Sequence, residues 1–195
     1  FDDAPVAGFG DALALGEPGD YIEVGASLND VADWTFEAWV KPTSTDRGMI
    51  YSEGAPDVTL QIEAASDQSL AVAAWNAAHT NDWMNFYTPA GTLTVGEWNH
   101  VAVTLQDGAE GTGRLTVYVD GEAFSGTLQT ESSTSSRFAT IGENTGATRG
   151  GSQSSHPFVG EIDEVRIWHA ARPWSEIEAH MMRTLSGAEE DLAGY

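Results

Sequence analysis

The chain has no cysteine, a single lysine and no long apolar run, and each shortage excludes a class of protein. Without cysteine, its 195 residues form no disulfide framework and supply no thiol nucleophile. No apolar run approaches the roughly 18 residues that a membrane span needs, and Phe1 starts the chain without a signal-peptide pattern. We therefore expect one soluble domain, residues 1–195, excised from a longer protein.

Basic residues are also scarce, since 8 lysines and arginines face 30 acidic residues, for a net charge of −22. This charge repels nucleic acid and anionic membrane surfaces, so we expect neither as a partner. Two explanations of the acidity are open and compatible. The surface is halophilic, adapted to high salt that screens its self-repulsion, or the carboxylates bind several calcium ions.

Short strands with turns between them account for most of the chain. Apolar and polar residues alternate over residues 101–105 and 115–119, as in half-buried strands. Asp120-Gly121 tolerates positive φ, which predicts a hairpin over residues 115–128. Further strands are predicted over residues 12–15, 21–24, 35–40, 49–52, 58–63, 69–75, 83–87, 138–142 and 158–168. About a dozen strands indicate an all-β fold, a two-sheet antiparallel sandwich.

One short C-terminal helix completes the predicted fold. Ser175 is its expected N-cap, and Gly187 its expected end. Four apolar residues share one helical face, which favours core packing over a cofactor site: Trp174, Ile177, Met181 and Leu185.

Seven segments, read in order, resemble the landmarks of laminin-G-like, concanavalin-A-like jelly-roll domains. They are ALALGEPGDYIEV (12–24), WTFEAWVKP (34–42), EWNHVAVTL (97–105), LTVYVDGE (115–122), ATIGEN (139–144), GEIDEVRIWHAAR (160–172) and SEIEAH (175–180). The resemblance implies two curved antiparallel sheets in an extracellular protein that binds carbohydrate or protein, often with calcium. The fold alone does not decide the function.

The superfamily also includes retaining glycanases, whose motif resembles Glu-x-Asp-x-Glu, with or without one extra residue. Glu161 and Asp163 match its first two positions, but the third is Val165, or Arg166 if a bulge intervenes. Strict alternation directs Glu164 to the opposite face from Glu161, so it cannot be the second carboxyl, roughly 5 Å away, that retention requires. We expect no catalysis by this motif.

The resemblance implies instead that Asp163 binds a structural calcium together with backbone carbonyls of the N-terminal segment. Gly10 and Asp11 are the candidate N-terminal ligands, with Asp20 as a further one. One aspartate, several carbonyls and waters can supply the six to eight oxygens of calcium. The alternative is that Asp163 accepts backbone hydrogen bonds or pairs with Arg166, and that Asp11 and Asp20 are solvated turn residues.

The segment WNAAHTNDWMNFY (75–87) interleaves aromatic rings with amide and carboxylate groups. Saccharides stack on aromatic faces and need several directed hydrogen bonds. The candidate ligand residues are Trp75, Asn76, His79, Asn81, Asp82, Trp83 and Tyr87. The alternative is that the aromatic residues, above all Trp75 and Phe86, fill the core and the polar ones form a hairpin turn.

A second candidate is the loop over residues 143–156. Asn144 and Arg149 are candidates for the same rim, and an arginine fork suits an acidic sugar or a peptide carboxylate. A solvated loop explains these residues equally well.

The sequence therefore predicts a non-catalytic extracellular module, carbohydrate-binding or adhesive and stabilised by calcium. The alternatives are a structural or protein-interaction domain of a large surface adhesin and, less favoured, a glycan-processing enzyme. A glycan or an extracellular protein is the expected partner, with the isolated domain monomeric.

Overall fold

The described residues form two antiparallel sheets packed face to face, in agreement with the predicted sandwich. The computed structural model describes residues 10–28, 31–55, 59–75, 83–108, 111–130, 136–144 and 155–195. The first sheet has the strand order β1-β12-β3-β8-β9-β10, with β13 also paired to β12, and the second has the order β2-β11-β4-β5-β6-β7.

Among the described residues, seven strands belong to the first sheet and six to the second. In the first sheet they are β1 (Leu13–Leu15), β3 (Trp34–Pro42), β8 (Asn99–Gln106), β9 (Gly111–Val119), β10 (Glu122–Thr130), β12 (Gly160–Trp168) and β13 (Leu192–Gly194). In the second they are β2 (Ile22–Val24), β4 (Gly48–Ala55), β5 (Leu60–Ala64), β6 (Leu70–Trp75), β7 (Trp83–Tyr87) and β11 (Ser136–Ile141).

Alternate residues of the two sheets meet in one apolar core. Phe36, Val103 and Val117 face inward from the first sheet, and Ile62 and Val72 from the second, all fully buried. Burying a side chain of this size stabilises the fold by about 1.5–3 kcal/mol. The inner faces are therefore committed to packing, which leaves the outer faces, edges and loops for binding.

The hairpin of β9 and β10 confirms the sequence prediction. Asp120 and Gly121 both have positive φ, 48° and 87°, as a two-residue turn of this twist requires. A side chain at Gly121 would also crowd the Trp174 ring, whose nearest atom lies 3.1 Å from the position of a Cβ.

A β-bulge interrupts β12 at the acidic motif. Asp163 lies opposite Trp39 and Arg166 opposite Glu37, so three steps on β12 match two on β3. The extra residue is accommodated at Glu164, whose φ is 49°. Bulges re-aim the side chains around them, and this one breaks the alternation that the sequence predicts.

The C-terminal helix, α1 (Trp174–His180), is shorter than predicted. Its N-cap is Pro173 rather than Ser175, with no side-chain cap, and it ends at His180 rather than near Gly187. Leu185 is therefore outside the helix, although it is buried. Among the described residues, no helix has the length and apolar character needed to cross a membrane.

Candidate functional site

The bulge of β12 lies in a notch at the edge of the first sheet. β1 pairs with β12 up to Ile162, and β13 pairs with it from Ile167 onward. Between them opens a cavity of about 400 Å³ whose walls come from β1, β2, β12 and the C-terminal segment, with Asp11, Asp163, Glu164 and Tyr195 among its lining residues. The cavity is therefore lined by both carboxylate and apolar residues.

Asp163 has one carboxylate oxygen that the fold leaves without a partner. Its Oδ1 accepts the backbone N–H of Glu164 at 2.8 Å, whereas its Oδ2 is buried and has no hydrogen-bond partner among the described residues. Burial is the main reason why the pKa of Asp163 is raised above its usual range, and the charge of Glu164 adds to this. A buried carboxylate oxygen of this kind calls for an explanation, such as a metal ion.

The other predicted metal ligands divide between the cavity and the turn before β2. Asp11 lines the same cavity as Asp163. Asp20 does not line it, and its Oδ2 instead accepts the backbone N–H groups of Gly16 and Glu17. Gly10 is exposed and also lies outside the lining. Within the described residues, no three acidic or histidine side chains form a metal-binding group, so carbonyls and waters would have to complete a calcium shell.

The remaining acidic residues of the motif have protein partners. Glu161 pairs with Lys41 at 3.1 Å. Because of the bulge, Glu164 does not follow strict alternation: its Oε2 accepts from Arg166 Nη2 and from the Tyr195 hydroxyl, both at 2.9 Å. Arg166 occupies the next register position after Asp163.

A buried polar cluster continues from Arg166 across the outer face of the first sheet. Glu37 accepts from Trp168 Nε1 at 2.8 Å, and its Oε2 lies 3.4 Å from His100 Nε2 and 3.8 Å from Arg166 Nη1. Arg166 also donates to the carbonyls of His180 and Arg183. The C-terminal segment thus covers the face where a glycanase motif would need an open cleft.

The predicted aromatic site lies on the edge hairpin of the second sheet. Backbone register places Trp75 opposite Trp83, Ala73 opposite Asn85 and Ala71 opposite Tyr87. The intervening positions Val72, Ala74 and Phe86 pack with the core, so these six positions belong to the outer face. Tyr87 is 51% exposed. The register therefore places aromatic and amide positions beside two alanines, Ala71 and Ala73, that are themselves buried.

Five other predicted ligand residues, Asn76, His79, Asn81, Asp82 and Arg149, lie outside the described residues. Asn144 is described, but it is only 2% exposed. Its burial does not support the predicted place on an open rim. Its neighbour Glu143 accepts from Gly19 N–H at 2.9 Å and from the Ser155 hydroxyl, which ties two loops together.

The structure also contains a groove that the sequence did not predict. It lies on the outer face of β8, β9 and β10, beside the segment that leads into α1. Its hydroxyl, aromatic and arginine side chains come from three separate stretches of the chain, so no single motif marks them. The only signal in the sequence is the polar half of the alternation in each strand.

Known proteins share this architecture. The chain is similar to a heptameric SAP-like pentraxin from Limulus polyphemus, with a TM-score of 0.57, 20% identity and coverage of 80% of this chain and 73% of that one. It is also similar to the CBM40 of the Ruminococcus gnavus IT-sialidase, with a TM-score of 0.59, 16% identity and coverage of 82% and 95%. Domains LG4-5 of the mouse laminin alpha1 chain align with a TM-score of 0.55 and 16% identity over 82% of this chain and 40% of that one.

At these identities the likeness concerns the fold alone. Among curated protein sequences no relative matches the chain. The family model of the concanavalin A-like lectin/glucanase superfamily, in its laminin G form, matches residues 15–178. With the two antiparallel sheets and the terminal helix in place, the chain belongs to the concanavalin A-like lectin/glucanase superfamily as a laminin G-like domain.

Proposed function

We propose that the chain is a non-catalytic glycan-binding module of an extracellular protein and that calcium at Asp163 stabilises it. The observation that carries the binding function is the register of the β6–β7 hairpin. It places the backbone positions of Trp75, Trp83, Asn85 and Tyr87 on one face, at the edge of the second sheet.

This grouping matches the chemistry of saccharides. Aromatic rings offer flat surfaces to sugar C–H groups, and the amide of Asn85 can both donate to and accept from hydroxyls. Similarity to a CBM40 of a sialidase and to laminin LG domains is consistent with a glycan or a protein ligand.

The notch at the bulge supports the calcium proposal. Asp163 Oδ2 is buried without a partner, and Asp11 lines the same cavity. These two carboxylates fit a hard cation that prefers oxygen ligands. Calcium there would join the N-terminal segment to β12 and would neutralise a charge that the fold otherwise leaves uncompensated.

The lack of catalysis rests on the partners of the acidic residues. Glu161 is paired with Lys41 and Glu164 with Arg166. Of the three acidic residues, only Asp163 keeps a buried carboxylate oxygen without a hydrogen-bond partner among the described residues, whereas the mechanism of glycosidases requires two available carboxylates.

A glycan-binding screen with calcium present tests the proposed function. Trp83→Ala and Tyr87→Ala should each weaken binding about tenfold, as loss of an aromatic contact of roughly 1.4 kcal/mol implies. Tyr21→Ala, which removes an exposed aromatic ring away from β7, should change binding less than twofold. Failure to bind any glycan would contradict the proposal and favour a structural or protein-interaction domain, as would binding that neither hairpin variant alters.

A further inference from the structure

The groove on the outer face of the first sheet has the features of a second ligand site. It encloses about 480 Å³; β8, β9 and β10 form its floor, and residues 171–173 form one wall. We propose that it binds a saccharide that carries carboxylates, such as a short chain of hexuronic acids. This proposal goes beyond the glycan site of the β6–β7 hairpin and does not depend on it, because the two sites belong to opposite sheets.

A row of three hydroxyl side chains crosses the floor. Backbone register places Thr104 opposite Thr116 and Thr116 opposite Ser125. Because neighbouring strands are about 4.8 Å apart, the row extends roughly 10 Å across the sheet. The Thr116 and Ser125 hydroxyls make no hydrogen bond to other described side chains. Each can therefore donate to and accept from a sugar hydroxyl.

An aromatic ring held in a fixed orientation flanks this row. Tyr118 stacks on Trp174, with ring centroids 5.2 Å apart and an interplanar angle of 29°. The tight turn at Gly121 also lies against the Trp174 ring. A ring fixed in this way offers a sugar ring a stacking surface with little loss of conformational entropy.

The charge of the groove is opposite to that of the protein. Its lining contains Arg114 and Arg172 but no acidic residue, although the chain carries a net charge of −22 and only 8 basic residues in all. This concentration of positive charge favours an anionic ligand. The planar forks of two arginines match carboxylates in particular.

Both arginines can exchange their present partners for a ligand. Arg114 contacts Gln106 at 2.8 Å and Asp107 at 3.3 Å, and both charged side chains are largely exposed. Arg172 pairs with the half-exposed Glu176 at 3.1 Å and stacks 3.9 Å above the Trp168 ring. The exposed Arg114–Asp107 pair contributes little free energy, and the Arg172–Glu176 pair is open to solvent on its Glu176 side, which is 51% exposed.

Calorimetric titration with a tetramer of galacturonic acid tests the proposal, at a salt concentration that screens the net charge. The fully methyl-esterified tetramer is the neutral match and should bind at least about tenfold more weakly, as expected when charge-assisted hydrogen bonds to arginine are lost. Arg172→Gln should weaken binding of the acid tetramer by a similar factor. Arg183→Gln, which removes an exposed arginine outside the groove, should change it less than twofold.

Ser125→Val provides a second variant that the fold tolerates, because residue 125 is exposed on a strand and valine suits strands. It should weaken binding about threefold through the lost hydroxyl. Absence of binding, equal binding of the ester, or an equal loss in Arg183→Gln would overturn the proposal. Trp83→Ala should leave this titration unchanged, so failure of this site and failure of the hairpin site are distinguishable.

Discussion

Asp163 and Arg166 lie on either side of one bulge, yet the fold compensates their charges differently. Arg166 is almost fully buried and meets two carboxylates, Glu37 and Glu164, and two backbone carbonyls. Asp163 has a single backbone N–H on Oδ1, and among the described residues no cation pairs with it. The network around Arg166 is not fully hydrogen-bonded, because Arg166 Nε and Glu37 Oε2 have no hydrogen-bond partner among the described residues. The comparison therefore shows that one strand carries both a buried cation paired with carboxylates and a carboxylate that no described cation pairs with.

The difference follows from the elements packed against each side chain. The C-terminal segment covers Arg166 and offers it acceptors. Asp163 instead faces the notch between β1 and β13, where the sheet edge lacks a paired strand among the described residues. A buried charge that the protein does not compensate is costly. The calcium proposal therefore expects an external cation at Asp163 to stabilise the fold.

The largest expected effect comes from removing the cation that Glu37 and Glu164 share. Arg166→Met leaves Glu37 and Glu164 without their cation, which should lower the free energy of unfolding by about 3–5 kcal/mol. Chemical denaturation measures this change. Arg114→Met, on a side chain that is 69% exposed, is the control and should cost less than about 1 kcal/mol. A loss below about 1 kcal/mol for Arg166→Met would mean that the network is not structurally important.

A smaller effect is expected from Tyr195, whose hydroxyl contacts Glu164 of the same network. Tyr195→Phe removes the hydroxyl that donates to Glu164 and accepts from the Leu185 N–H. It should cost about 1 kcal/mol, the usual contribution of such hydrogen bonds. Tyr21→Phe, at an exposed residue away from this network, should have no measurable effect. Equal melting temperatures for Tyr195→Phe and the wild type would mean that these two hydrogen bonds of the Tyr195 hydroxyl do not stabilise the fold.

The smallest expected effect concerns the uncompensated carboxylate in the absence of metal. The raised pKa of Asp163 in the fold means that the neutral form is favoured there, so metal-free protein should lose stability as the pH rises through that pKa. Asp163→Asn in EDTA should therefore be slightly more stable than the wild type at pH 7, by no more than about 1 kcal/mol or 2–4 °C in Tm. Its pH profile should also be flatter. A marked destabilisation in EDTA would show that Asp163 has a structural partner of its own.

The sequence predicted the sandwich well because strand alternation and turn chemistry are local signals. The β9–β10 hairpin, with Asp120-Gly121 at its turn, is an example. The sequence left a bulge in β12 open but could not decide it or locate it at Glu164, since it depends on how β12 pairs with β3. The helix also ends earlier than its apolar periodicity indicates. The carbonyl of His180, the last helical residue, accepts a hydrogen bond from Arg166, and the carbonyl of Met181 accepts one from Trp39. These tertiary hydrogen bonds are not visible in helix propensity.

The candidate sites were predictable only in part for the same reason. Asp163 and Asp11 were identified through the resemblance, and the structure brings both to one cavity. Asp20, by contrast, accepts hydrogen bonds from the backbone of its own turn, at Gly16 and Glu17. The hydroxyl row of Thr104, Thr116 and Ser125 was missed because its members are ordinary polar positions of three strands, and only their register brings them together.

A calcium titration of thermal stability tests the central claim most directly, with wild type and Asp163→Asn compared after EDTA treatment. At calcium concentrations near 100 times Kd, the wild type should gain about 2.7 kcal/mol, or roughly 5–10 °C in Tm. Sodium chloride of matched ionic strength should not reproduce this gain, and Asp163→Asn should not show it. An equal gain in both proteins, or a gain from sodium chloride alone, would contradict the account and attribute the acidity to salt adaptation.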